Sequence, residues 1–174
     1  MWLTTDELNF VVGCPPADLN GVSTAFPCNV VNMAKYASMV AIVGCGAGST
    51  YRIYAQYAST ASLTPGSTGN FCIGNYRLSG LGTTASTCDL LGTRTALTTT
   101  GSSSVCIAAT TQGFACVGST PNVNAYIELK ADDLPTGYPY VAICVSTAAQ
   151  AHPCEVTYVM RPRYPQNTML PSCT

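Results

Sequence analysis

At 174 residues the chain fits one domain large enough to bury a core without help from metals or disulfides. Charged residues make up 9%, against roughly a quarter in ordinary soluble domains, and 7 Lys and Arg face 8 Asp and Glu for a net charge of −1. No basic cluster exceeds Arg161 and Arg163, which excludes nucleic-acid recognition by phosphate neutralisation; no stretch approaches the ~18–20 apolar residues of a membrane-spanning helix.

The first 29 residues have weak periodicity. Thr4 and Glu7 have the spacing of a capping box, but Cys14-Pro15-Pro16 breaks any helix begun there. Residues 1–29 are read as an extended N-terminal arm whose Trp2, Leu3, Phe10, Val11 and Val12 need cover, from their own domain or from a neighbouring subunit. A β-domain follows over 30–161. Residues 36–43 predict its first strand, closed by the glycine-rich turn Gly44-Cys-Gly-Ala-Gly48. In 49–58, Tyr51, Ile53, Ala55 and Tyr57 alternate with Arg52, Tyr54 and Gln56, a second strand that makes the pair a hairpin. Pro65-Gly66 marks a loop before a strand over 70–78 with Phe71, Ile73 and Tyr76 inward. The stretches 93–99, 105–110 and 113–117 are short and β-prone. Over 125–131, Ile127 and Leu129 oppose Tyr126, Glu128 and Lys130, and 132–137 forms a turn.

Residues 140–145 are a nearly unbroken apolar run, as in a strand covered on both faces. Residues 154–160 alternate instead, with Val156, Tyr158 and Met160 opposite Glu155, Thr157 and Val159. Together 137–163 reads as an antiparallel hairpin around a link that holds His152 and Pro153. Residues 162–174, with three prolines and no period, form an extended C-terminal tail. Short strands, frequent turns and no convincing helix predict an all-β single domain, a β-sandwich or jelly roll. Its expected core holds Val40, Ile42, Ile53, Ile127, Leu129, Val141, Ile143, Val156 and Tyr158.

Ten cysteines stand at Cys14, Cys28, Cys45, Cys72, Cys88, Cys106, Cys116, Cys144, Cys154 and Cys173. None forms the close pair that puts two thiolates on one metal, so all ten are disulfide candidates and no metal site is expected. Connectivity stays open, including pairing between subunits through Cys14 or Cys173; Cys144–Cys154, flanking the hairpin link, is the favoured local bridge. His152 reads as an exposed structural histidine, and Glu128, Asp132 and Asp133 as a solvated acidic turn. The glycines of 44–48 sit between strands and not before a helix, so they lack a phosphate-binding geometry. No catalytic constellation and no cofactor follow, and the chain is not expected to be an enzyme. The many tyrosines alternate within strands, as core or subunit interface residues do.

Val30-Val-Asn-Met-Ala-Lys-Tyr36 before an apolar strand, the alternating 51–57 segment, Ile127-Glu-Leu-Lys-Ala-Asp-Asp133 before Gly137-Tyr-Pro-Tyr-Val141, and Arg161-Pro-Arg-Tyr-Pro165 resemble the small β-rich head proteins of tailed bacteriophages. These act as cement or decoration subunits on the capsid. The resemblance spans about 30–166, and the ten cysteines depart from its pattern. It implies a structural virion protein on the capsid surface, synthesised in the host cytoplasm. Its partners would be the major capsid protein and itself, as a homotrimer, with Trp2, Leu3, Phe10, Tyr164 and Leu170 as interface candidates. A virion also suits a cysteine-rich chain whose start, Met-Trp-Leu-Thr-Thr-Asp-Glu, lacks the pattern of a signal peptide. A phage tail, fibre or receptor-binding module is the alternative, and a secreted disulfide-rich β domain the third reading.

Overall fold

The computed structural model describes residues 8–18, 26–46, 50–62, 68–71, 75–79, 95–96, 114–117, 123–147 and 153–163. In chain order the strands are β1 (Asn9–Asp18), β2 (Phe26–Pro27), β3 (Val31–Asn32), β4 (Tyr36–Cys45), β5 (Thr50–Ala58), β6 (Thr68–Phe71), β7 (Asn75–Ser79), β8 (Thr95–Ala96), β9 (Phe114–Val117), β10 (Val123–Lys130), β11 (Tyr140–Thr147) and β12 (Pro153–Pro162). They form two antiparallel sheets. The first has the order β1-β12-β4-β10-β7-β8. In the second, β11 pairs with β5 on one side and with β2 and β3 on the other, while β6 and β9 share the far side of β5. Among the described residues the only helical pieces are two 3-10 turns, Met33–Lys35 and Ala131–Asp133. The chain is all-β, as its patterning predicts.

One core joins the sheets. Met39, Val43, Ile127, Tyr158 and Met160 of the first pack in a single cluster with Val31, Ile53, Val141 and Ile143 of the second. Each such burial removes apolar area worth about 1.5–3 kcal/mol. Period two decides which residues these are in β12, β10 and β5. In β11 residues 141–145 are all buried, Ala142 and Cys144 on the face away from Val141, Ile143 and Val145.

Neither expected hairpin forms. β4 and β5 are consecutive but lie in opposite sheets, and so do β11 and β12. The 70–78 stretch is likewise split between β6 and β7, one in each sheet. A strand that buries one whole face needs a facing sheet as well as an edge partner, and a chain that crosses between layers supplies both.

The phase of β4 differs too. Tyr36, Met39, Ala41 and Val43 point inward, whereas Val40 and Ile42, expected in the core, are half-buried on the outer face. Ser38 shares the phase of Val40 and Ile42, and this choice keeps the bulky Met39 inside; Tyr36, of the same parity as Ser38, turns inward through the register irregularity between them.

The stretch assigned to an arm contains β1, the edge strand of the first sheet, with Val11 and Cys14 in the core. Gly13 is the extra residue of a bulge between Val12 and Cys14, which turns Cys14 inward. A Cβ at Gly13 would lie 2.7 Å from the Tyr158 ring, so the close approach requires glycine. Pro15 and Pro16 are tolerated because β1 is an edge. Tyr158 then reaches across the core, where its hydroxyl accepts the Ile143 N–H at 3.1 Å. That N–H falls between the short strands β2 and β3, and the Ile143 carbonyl accepts from Cys28 N–H at 2.9 Å. At the β1 end of the same core, buried Asn9 donates through Nδ2 to the Tyr36 hydroxyl at 2.8 Å.

Candidate functional site

Strand register sets the outer side chains of the first sheet in rows. One row runs Phe10, Val159, Val40, Glu128; the next runs Val12, Thr157, Ile42, Tyr126, Arg77. Phe10 is 48% and Val12 57% exposed, while Val159, Val40, Ile42 and Tyr126 are half-buried. The product is an apolar strip across β1, β12 and β4, closed on its far side by Glu128 and Arg77. Exposed apolar ground rimmed by charge is the chemistry of a contact surface.

Of the interface candidates, Phe10 lies on this strip; Trp2, Leu3, Tyr164 and Leu170 fall outside the described residues. Val12, Val40, Ile42 and Val159 were not among those candidates. For Val40 and Ile42 the signal in the sequence is Ser38, the one polar residue of 37–45, which shares their phase.

Cys14, Cys28, Cys45, Cys144 and Cys154 are buried thiols. Cys116 stands in β9 opposite Tyr51, and Cys72, Cys88, Cys106 and Cys173 lie outside the described residues. Cys14, Cys28, Cys45 and Cys154 gather where β4 ends and β12 begins. Burial, then the proximity of Cys154, pushes the Cys14 thiol up; burial, then Cys14, pushes Cys28 well above the usual thiol range. Cys144 stands on the other face of β11, its sulfur 3.4 Å from Gln56 Oε1. Burial pushes it up to about 12, against a hydrogen bond from Tyr54 that lowers it. The Cys144–Cys154 pairing loses its basis with the hairpin, since the two occupy strands of different sheets.

Among the described residues no group of three or more His, Cys, Asp or Glu is arranged to hold a metal ion. Asp132 and Asp133 are exposed, and Asp132 pairs with Arg163 at 2.6 Å; His152 lies outside the described residues. A cleft of about 270 Å³, bordered by Pro16, Asn124, Pro153 and Glu155, opens beside Cys45 and Cys154. Comparison with protein families, with curated proteins and with solved structures finds no match for the chain.

Proposed function

We propose that the chain is a structural virion protein, a cement or decoration subunit that binds the major capsid protein lattice of a tailed-bacteriophage head and stabilises it as a homotrimer. The apolar strip led by Phe10 and Val12 carries this reading. Such a face is covered without stripping water from ions, and Phe10 and Tyr126 are the aromatic anchors an interface uses. The resemblance of the 30–166 segment to phage head proteins supplies the partner. A closed trimer suits capsomer junctions, where three equivalent neighbours meet. The role is mechanical: area buried between subunits raises the barrier to shell rupture, with no cofactor and no reaction.

The test mixes purified protein with heads lacking it, counts bound copies by sedimentation, and follows DNA release on heating. Intact protein is expected to bind in many copies and raise the release temperature. A Phe10→Glu, Val12→Glu variant with parental circular dichroism and melting temperature is expected to bind at least about tenfold more weakly, the loss of ~1.4 kcal/mol. Equal binding by that variant removes the strip from the interface. Protein found in a few copies on the tail favours the receptor-binding reading instead.

A further inference from the structure

We propose that the oxidised protein carries two disulfide bonds, Cys45–Cys154 across β4 and β12, and Cys14–Cys28 between β1 and the segment after β2. The proposal does not depend on the virion reading. Cys45 and Cys154 stand directly opposite each other in the register of β4 and β12. The Gly46 N–H donates to the Pro153 carbonyl at 3.0 Å, which makes their neighbours Cys45 and Cys154 a non-hydrogen-bonded pair. Such pairs hold their Cα atoms about 4.5 Å apart, within the ~4.4–6.8 Å that a disulfide spans.

Backbone contacts bring the second pair together. The Asn29 N–H donates to the Gly13 carbonyl at 2.7 Å, and the Asn29 side-chain amide donates to the Val12 carbonyl at 3.1 Å. Residues 28–29 are thereby held against the bulge that turns Cys14 inward. The two sulfurs lie close enough for each to perturb the other's ionisation. Cross-pairing is disfavoured by register: opposite Cys14 stands Val156, and opposite Cys154 on β1 stands Ala17.

A low-molecular-weight disulfide such as oxidised glutathione is the oxidant. One cysteine thiolate attacks it, giving a mixed disulfide and releasing one glutathione thiolate. The partner thiolate then displaces the second glutathione. Two protein thiols lose two protons and two electrons, and one glutathione disulfide becomes two thiols. All four thiols are buried, Cys45 and Cys154 at 5% and 3% exposed and Cys14 and Cys28 at 3% and 4%, so both bonds form before the sheets close over them.

The full chain, refolded in a mixture of oxidised and reduced glutathione, is alkylated under denaturing conditions and digested without reductant by an Asp-directed protease and trypsin. By sequence, Cys14, Cys28 and Cys45 then fall on separate peptides, and Cys144 shares one with Cys154. The expected result is a Cys14 peptide joined to the Cys28 peptide and a Cys45 peptide joined through Cys154. Recovery of these four cysteines mainly alkylated overturns the proposal. So does finding any of them mainly bridged to another cysteine, Cys144 included. Because the mapping uses the unmutated chain, no variant has to fold for it to be decided.

Discussion

The Tyr158 hydroxyl meets the Ile143 N–H in the gap along β11 between its pairings with β2 and with β3. Tyr158→Phe keeps the ring that packs on Gly13 and removes the acceptor, leaving a buried N–H unsatisfied. The expected cost is about 1–3 kcal/mol, read as a lower denaturation midpoint at unchanged slope; parental stability would mean that Ile143 finds another acceptor. The buried thiols carry a pH dependence of definite sign. Cys28 and Cys144 are both raised by burial, Cys144 to about 12, so the folded state keeps protons that the unfolded chain releases from roughly pH 8.5. Their contribution is complete below that pH and is lost as pH climbs toward the folded values, by up to about 1.4 kcal/mol per pH unit for each thiol. Reduced protein should therefore show a falling urea midpoint from pH 8.5 to 11. A midpoint flat across that range would place these thiols in water.

Strands report their faces through alternation, and β12 and β10 do so without ambiguity: Val156, Tyr158 and Met160 are buried, as are Ile127 and Leu129. What alternation does not carry is the sheet to which a strand belongs. A Gly-rich link such as 44–48 closes a hairpin or crosses between layers with the same composition, and both arrangements bury one face of each strand. Cys45 and Cys154, distant in sequence, become neighbours only through the β4–β12 pairing, so their proximity has no local signature. The phase of β4 was legible in Ser38 but masked by the evenly apolar run around it. It makes a sharp prediction. Met39→Ala, opening space in the shared core, should cost about 2–5 kcal/mol, while Val40→Ala on the outer face should cost less than about 1 kcal/mol. Equal losses in thermal or chemical unfolding would mean that β4 is buried on both faces, as β11 is.

For the molecule as a whole, the seam between the two sheets decides how oxidation acts. At the cysteine end the Asn29 contacts with Val12 and Gly13 tie the segment after β2 to β1, and Cys14–Cys28 would close the same seam covalently. Cys45–Cys154 would instead tie two strands already paired along their length. Contact strength alone would thus favour the first bond, whereas chain entropy ranks them the other way. A loop of about fifteen residues is worth about 3 kcal/mol and one of about 110 residues about 4.7 kcal/mol in that model. At about 2–4 °C per kcal/mol for a chain of this length, full reduction should lower the melting temperature by about 15–30 °C. Cys45→Ser should then destabilise the oxidised protein more than Cys14→Ser, and in reductant the two variants should differ little from the parent and from each other. The reverse order under oxidising conditions would show that the Cys14–Cys28 bond acts in the folded state, by holding the sheets together, more than by restricting the unfolded chain.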